Sequence, residues 1–179
     1  MPDCAEVVVL PRLIPTEVEP LPSRLRFLTG ATGGKLAFTR LALDQVLRGH
    51  FDLVVSAHIN FSPLGVVLAR LASAKSMLIV HGIDAWTRHR SALVRWSLRR
   101  FDRVVGVSQT TLDRFLIWSR VNSARTSVLS NCVDLNRYSP GPKSAALERK
   151  LGIENRSVLM TVGRLDSRER YKGFDEILE

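Results

Sequence analysis

The chain has 179 residues, of which 45% are hydrophobic and 24% are charged, a composition that excludes an intrinsically disordered protein. Its 26 Lys and Arg residues outnumber 17 Asp and Glu residues, and the formal charge of +9 predicts attraction to an anionic partner. Two cysteines, Cys4 and Cys132, exclude a disulfide scaffold and a zinc module.

Short apolar segments that alternate with amphipathic segments run along most of the chain. The predicted strands are 5–10, 51–57, 76–80, 103–107 and 126–129, and the predicted helices are 35–48, 63–73, 92–100 and 110–118. Prolines 11, 15, 20 and 22 exclude regular structure from the stretch after the first strand. In helix 35–48, the periodicity places Leu36, Leu43 and Leu47, near Phe38 and Val46, on one broad apolar face. Gly49 is expected to end that helix, and Ser108 to cap the helix that follows it.

This alternation predicts the fold class. Short, almost wholly apolar strands separated by helices are typical of a parallel sheet that is covered on both faces. We therefore expect an α/β protein with a doubly wound, Rossmann-like parallel sheet, which binds its ligands at the carboxyl ends of the strands. The loops after residues 57, 80, 107, 129 and 162 are the candidate ligand-binding loops.

The composition changes after Asp134, and this change predicts two domains. Residues 1–135 form the predicted Rossmann-like domain, residues 136–150 a linker with a small helix at 143–151, and residues 151–179 the start of a second domain. A strand at 157–162 and a helix from about Gly173 are expected in that second part. One strand and a short helix bury too little surface for a core, so we expect the rest of this domain to lie outside the sequence.

A glycine-rich segment, residues 29–35 (TGATGGK), offers an alternative function. It departs from the P-loop pattern at Thr29 and Leu36, and the first glycine of a dinucleotide fingerprint falls on Leu28. An NAD(P)-binding oxidoreductase remains an alternative interpretation, in which changes at Gly30 or Gly33 abolish cofactor binding.

A basic cluster surrounds the predicted helix 92–100. Its members are Arg88, Arg90, Arg95, Arg99, Arg100 and Arg103, interspersed with Trp86 and Trp96. The cluster is either a solvated helix face or a docking surface for anionic lipid through Arg88, Arg90, Arg95 and Arg99. No groove-reading helix or exposed aromatic sheet is evident, so we expect no nucleic-acid partner. A third class of function, that of a non-catalytic binder of anionic membranes or nucleic acid, is also an alternative.

Neither an export signal nor a membrane span is recognisable. The first apolar run is too short and follows Asp3 and Glu6, and the longest apolar stretch is interrupted by Arg70 and Lys75. We therefore expect a cytoplasmic protein, with at most a peripheral contact at the inner face of the membrane.

Four segments, in this order, resemble a known enzyme family. They are residues 81–86 (HGIDAW) after a buried strand, Val107-Ser108 before a helix, residues 131–134 (NCVD), and residues 163–165 (GRL) followed by 172–175 (KGFD). From about residue 5 to residue 179, the chain resembles the retaining glycosyltransferases with two Rossmann domains (GT-B), family 4, also called group 1.

The resemblance implies a site on each domain. Arg164 and Lys172 would bind the diphosphate of a nucleotide-sugar, with Gly163 allowing backbone amides to approach and a helix starting near Gly173 favouring the anion. His81 would contact the donor sugar as a catalytic residue. Asp84 would orient His81 or bind acceptor hydroxyls. The alternatives are a core histidine with a satisfied hydrogen bond at position 81, and two solvated loop cations at positions 164 and 172.

The chain also departs from the family. Ala5–Leu10 resembles the family's second strand, so its first strand and Gly-Gly loop are missing, and Cys132 replaces a usual glycine. The two glutamates that hold the donor's sugar and ribose would lie beyond Glu179.

The sequence therefore predicts the acceptor-side domain of a glycosyltransferase, with the first donor contacts of its partner domain. The expected reaction transfers a hexosyl group from a UDP- or GDP-sugar to a hydroxyl of a glycan or lipid-linked acceptor, with retention and without a metal or other cofactor. The expected context is cell-surface polysaccharide or glycolipid synthesis. Because the base and sugar contacts are missing, we expect negligible activity from this chain alone.

Overall fold

A computed structural model describes residues 4–14, 21–163 and 173–178 of the chain. The chain divides into two compact units, residues 1–132 and residues 133–179. Each unit is described by itself below.

The first unit is built from parallel strands and helices. Its strands are β1 (Val7–Val9), β2 (Leu25–Phe27), β3 (Leu53–Ser56), β4 (Lys75–Val80), β5 (Arg103–Gly106) and β6 (Thr126–Val128). Its helices are α1 (Lys35–Arg48), α2 (Ser62–Leu71), α3 (Ile83–Trp86), α4 (Ala92–Leu98) and α5 (Gln109–Ser119). Short 3-10 turns occupy Thr29–Gly33, Ile59–Phe61 and Ser123–Arg125.

All strand pairs within the first unit are parallel. Strands β1 and β2 form a two-stranded sheet, and β3, β4, β5 and β6 form a four-stranded sheet in that order. Each neighbouring pair in the larger sheet is connected through a helix, as parallel strands require. The predicted Rossmann-like α/β fold is thereby confirmed.

The main core lies on one face of the four-stranded sheet. Leu78 and Val104 are register partners on β4 and β5, and both are fully buried. They belong to one cluster that also contains Val66 of α2, Leu98 of α4 and Phe115 of α5. Side chains alternate between the faces of a strand, so these three helices cover the same face. On the opposite face, Met77 and Ile79 are only partly buried.

Two glycines allow helices to approach this sheet closely. A Cβ on Gly65 would overlap the Ser56 Oγ, so a larger residue at this position would force the Ser56 hydroxyl or α2 to shift. A Cβ on Gly106 would lie 3.0 Å from the Leu112 Cβ, and this glycine seats α5 on β5. The loops that follow β3 and β5 therefore begin at tightly packed junctions.

Helix α1 has the predicted bounds and part of the predicted buried face. It packs through Ala42 and Val46 against Leu68 of α2, whereas Leu36 is 88% exposed and Leu47 is also exposed. The prediction placed both of these leucines inward and was wrong for them, because α1 meets α2 through a narrower stripe formed by Ala42, Val46 and the partly buried Leu43. Gly49 ends the helix in an extended conformation rather than a left-handed one.

Strand β2 was not predicted. It has three residues and follows a proline-rich stretch, so no alternation of apolar and polar residues is long enough to reveal it. Its pairing with β1, from Val7 opposite Leu25 to Val9 opposite Phe27, defines it instead.

The second unit contains two short helices within the described residues. They are α6 (Ala145–Leu151), which Ser144 caps by accepting a hydrogen bond from the Leu147 amide, and α7 (Phe174–Leu178). The predicted strand at 157–162 is wrong, because these residues form no regular structure and Leu159 is 95% exposed. A strand needs a neighbour to satisfy its backbone, and the described part of this unit offers none. Across all described residues, no helix combines the length and apolarity needed to cross a bilayer.

Candidate functional site

The carboxyl edge of the four-stranded sheet gathers polar side chains from two loops. His58 lies in the loop after β3, and His81 follows β4 directly. Because the two strands are parallel neighbours, both loops leave the sheet at the same edge, where ligands bind in folds of this type.

His81 stands in an exposed position. It follows Val80, which is fully buried, and its side chain makes no hydrogen bond to another described residue. Gly82, next in the chain, has a φ of +153°, a backbone conformation that other residues rarely adopt. The chain therefore turns sharply after His81 and leaves the imidazole facing solvent, which rules out the alternative of a buried core histidine.

Two tryptophans fix the short helix that follows. The Trp118 Nε1 of α5 donates a hydrogen bond of 2.9 Å to the Ala85 carbonyl, and Ala85 is fully buried. Trp86 donates from Nε1 to the Thr111 Oγ1 at 3.3 Å, and the Arg114 guanidinium lies 4.3 Å from its ring centroid. Helix α3 is thus anchored to α5, and the anchored helix carries Asp84.

Asp84 faces His58 across the two loops. The distance from the Asp84 Oδ2 to the His58 Nε2 is 3.9 Å, and the Asp84 side chain is 22% exposed. Its Oδ2 atom is buried and accepts no hydrogen bond from the described residues. The Asp84 carboxylate is partly exposed, which makes it a candidate acceptor for hydroxyl groups, while its buried Oδ2 faces His58.

A second histidine braces the same loops. The His89 Nε2 lies 2.8 Å from the Asn60 Oδ1, and the His89 Nδ1 accepts a hydrogen bond of 3.1 Å from the Ser91 amide. His58, Asn60 and His89 were not predicted as site residues. The loop after residue 57 was marked as a candidate ligand-binding loop, and that was the signal that pointed to His58 and Asn60.

Ser108 caps α5, as predicted. Its Oγ accepts a hydrogen bond of 3.1 Å from the Thr111 amide and donates to the Thr111 Oγ1, which also receives the Trp86 indole. The motif residue Ser108 therefore stabilises the helix that anchors α3.

The second unit offers less of its predicted site. Arg164 and Lys172 lie outside the described residues. The place that a Cβ on Gly163 would take is occupied by the Phe174 ring, so packing alone explains glycine there. Gly173 has a φ of +74°, which gives the sharp turn before α7. The role of Gly163 in admitting a ligand stays a prediction.

Some arginines of the basic cluster contact other residues of this unit, and others are exposed to solvent. Arg95 donates from Nη1 to the carbonyls of His89 and Arg90, at 2.7 and 2.6 Å. The Arg100 guanidinium lies 3.4 Å from the Trp96 ring centroid, and the Trp96 side chain is 39% exposed. Arg88, Arg90 and Arg99 are exposed. Exposed cations therefore surround α4, whereas Arg95 holds the loop before the helix, and the role of these cations in docking stays a prediction.

Asp102 lies at the opposite, amino edge of the sheet and has a structural role. Its Oδ2 accepts hydrogen bonds of 2.8 Å from both the amide and the Oγ of Ser76, which is buried. These bonds, the side-chain one foremost, lower the pKa of the Asp102 carboxyl below its usual value. The described residues contain no group of three His, Cys, Asp or Glu side chains placed to hold a metal ion.

Comparisons with known structures support the fold. The structure is similar to that of HepE from Anabaena in complex with UDP, with a TM-score of 0.52, 18% identity, and coverage of 67% of this chain and 32% of HepE. For HepE in complex with UDP and glucose, the TM-score is 0.54, the identity 22%, and the coverage 73% of this chain and 37% of HepE. The chain thus spans about a third of the length of these proteins, and the likeness establishes the fold.

No curated protein sequence matches the chain. The model of one protein family does, and its description is Glycosyltransferase Family 4. The match runs over residues 5–137, which includes both sheets, the loops with His58 and His81, and the anchored helix α3. With more than two thirds of its residues matched, the chain belongs to Glycosyltransferase Family 4.

Proposed function

We propose that the chain is the acceptor-side part of a glycosyltransferase, which transfers a hexosyl group from a nucleotide-sugar to a hydroxyl of an acceptor. The observation that carries the proposal is the family match over residues 5–137, together with an exposed His81 at the carboxyl end of the matched sheet. Transfer with retention and without a metal is part of the proposal.

Within this proposal, the loops after β3 and β4 contact the sugars. His81 has a free imidazole, which hydrogen-bonds the donor sugar and stabilises charge as the glycosidic bond breaks. The Asp84 side chain is 22% exposed, and a carboxylate is a strong acceptor for sugar hydroxyls. The anchoring of α3 by Trp86 and Trp118 keeps Asp84 in place, as transfer requires.

The donor's diphosphate is assigned to Arg164 and Lys172. A planar guanidinium suits two phosphate oxygens, and a lysine ammonium adds a mobile charge. Both would stabilise the departing nucleoside diphosphate. HepE has been solved with UDP and with UDP and glucose, which supports a UDP-linked donor over a GDP-linked one.

Donor binding is measured by ligand-observed NMR, with UDP-glucose titrated into the 179-residue chain. Because two charge-assisted contacts contribute about 3–6 kcal/mol while association costs at least about 4 kcal/mol, we expect a dissociation constant in the millimolar range or weaker. We expect Arg164→Ala with Lys172→Ala to weaken binding at least about tenfold, since each cation contributes a charge-assisted contact. The matched control removes two exposed cations of α6, Arg149→Ala with Lys150→Ala, and leaves binding unchanged. Equal losses in both double variants would show non-specific attraction instead.

The acceptor is proposed to be a glycan or a lipid-linked sugar at the inner face of the membrane, in cell-surface polysaccharide or glycolipid synthesis. The surface around α4 supports a peripheral membrane contact. It presents Arg88, Arg90 and Arg99 beside the exposed side chains of Leu93 and Trp96. Cations near anionic headgroups contribute about 1 kcal/mol each, and tryptophan favours the interface.

Sedimentation with vesicles tests the membrane contact. We expect the chain to bind vesicles of phosphatidylglycerol at low salt, and Arg88→Ala with Arg99→Ala to reduce the bound fraction. A control that removes exposed cations elsewhere, Arg40→Ala with Arg125→Ala, is expected to bind like the unmodified chain. If the two double variants lose binding equally, net charge rather than this surface explains it.

A further inference from the structure

The Asp84 carboxylate raises a question that the proposed chemistry leaves open. Its buried Oδ2 accepts no hydrogen bond from the described residues, and a buried acceptor without a donor is costly. The ionisable partner that faces this oxygen is His58, whose Nε2 lies 3.9 Å away. This distance is longer than a hydrogen bond and short enough for a change of side-chain rotamer to close it.

The local backbone determines which nitrogen of His58 carries the proton. The His58 Nδ1 accepts a hydrogen bond of 3.1 Å from the Asn60 amide, at the start of the 3-10 turn. An imidazole nitrogen that accepts a hydrogen bond has no proton, so the neutral ring carries its proton on Nε2. The Nε2–H therefore faces the Asp84 Oδ2.

The turn that holds His58 is itself braced. The His89 Nδ1 accepts a hydrogen bond from the Ser91 amide, so the neutral His89 ring carries its proton on Nε2. The His89 Nε2–H therefore donates to the Asn60 Oδ1. Arg95 holds the His89 carbonyl at 2.7 Å. A chain of contacts thus runs from the loop before α4, through Asn60, to the His58 ring.

We propose that His58 is a positioning residue for Asp84. Its Nε2–H approaches the buried Oδ2 and holds the carboxylate with its other oxygen toward the ligand, and the contact shortens when a sugar occupies the site. Contacts of this kind are often long in unliganded proteins and tighten in the complex. The inference rests on the proposed function, in which Asp84 binds sugar hydroxyls or orients the catalytic histidine.

Two substitutions separate positioning from local structure. His58→Asn keeps an acceptor for the Asn60 amide, since asparagine caps turns well, but is too short to reach Asp84. His58→Gln reaches toward Asp84 with an amide N–H but is a poor cap. If His58 only caps the turn, asparagine is therefore the better substitute. If His58 positions Asp84, glutamine is the better substitute.

The measurements are NMR experiments on the ¹⁵N-labelled 179-residue chain. Long-range ¹H–¹⁵N correlation reports the tautomer, and we expect the Nε2–H form of His58, with a resonance that shifts on Asp84→Asn. In UDP-glucose titrations, we expect His58→Asn to weaken binding about tenfold and His58→Gln to stay within about threefold, as for the loss of one hydrogen bond to a charged group. Melting temperatures of both variants are recorded as the control for folding.

Each outcome decides the proposal. The proposal is overturned if His58 is the Nδ1–H tautomer, or if its resonance does not shift on Asp84→Asn. It is also overturned if His58→Asn binds UDP-glucose as well as the unmodified chain does. If Arg164→Ala with Lys172→Ala and its matched control bind UDP-glucose alike, the proposed donor site fails, and the tautomer and the Asp84→Asn shift still decide whether His58 and Asp84 are coupled.

Discussion

The contact between Gly65 and Ser56 sets the position of α2 on β3, and Gly65→Ala tests it. The new Cβ would overlap the buried Ser56 Oγ, and overpacking of this kind costs about 1–3 kcal/mol. Alanine regains about 1 kcal/mol through its higher helix propensity. We therefore expect Gly65→Ala to lower the free energy of unfolding by up to about 2 kcal/mol.

A double-mutant cycle makes the reasoning specific. In a Ser56→Ala background the Oγ is gone, and the nearest atoms to the new Cβ are the residue 56 Cβ at 3.3 Å and the Phe101 Cζ at 3.4 Å. Small shifts relieve such contacts, so Gly65→Ala is expected to be neutral or stabilising there. The assay is urea unfolding of the four proteins, with an expected coupling of about 2 kcal/mol. If the two substitutions are additive within about 0.5 kcal/mol, the overlap does not determine the packing of α2.

Three further predictions follow from single contacts. Asp102→Ala leaves the buried amide and hydroxyl of Ser76 without their acceptor and is expected to lower the free energy of unfolding by about 1–3 kcal/mol, whereas Asp102→Asn costs less in urea unfolding. Because folding lowers the pKa of Asp102, its ionised form stabilises the fold above about pH 4. The stability advantage over Asp102→Asn is therefore expected to disappear as the pH falls through the folded pKa. A difference in unfolding free energy that stays constant down to pH 2 would contradict this. Trp118→Phe removes the bond to the Ala85 carbonyl, so the amides of α3 are expected to exchange about fivefold faster or more in hydrogen-exchange NMR, while equal exchange rates would show that α3 does not depend on that bond.

Most of the first unit was predictable because its strands are apolar runs bounded by polar residues or glycine. The Ser108 cap and the bounds of α1 follow from such local signals. The width of the buried face of α1 does not, because the exposure of Leu36 and Leu47 depends on where α2, a neighbour distant in sequence, meets this helix. Strand β2 also depends on its partner, since three residues carry no periodicity of their own. Residues 157–162 have a high strand propensity, but the described part of their unit offers no neighbouring strand to pair with. The strand predicted there from local propensity was therefore wrong.

The candidate site was predictable only in part. His81 could be named from its place after a buried apolar strand and from the family motif. His58 looked like an ordinary residue at the end of a strand, because its importance lies in an orphaned oxygen on Asp84, 26 positions away in the chain. A pairing across two loops leaves no spacing in the sequence, so only the geometry of the folded chain reveals it.

The most direct test of the glycosyltransferase account is whether a bound donor sugar touches His81. Intermolecular nuclear Overhauser effects between UDP-glucose and the chain's four histidine rings are assigned with single substitutions. We predict contacts between the glucose protons and the His81 ring that disappear in His81→Ala and persist in His50→Ala, whose residue lies in an exposed loop. Glucose contacts that persist in His81→Ala, or saturable UDP-glucose binding without any contact to His81, would contradict the account.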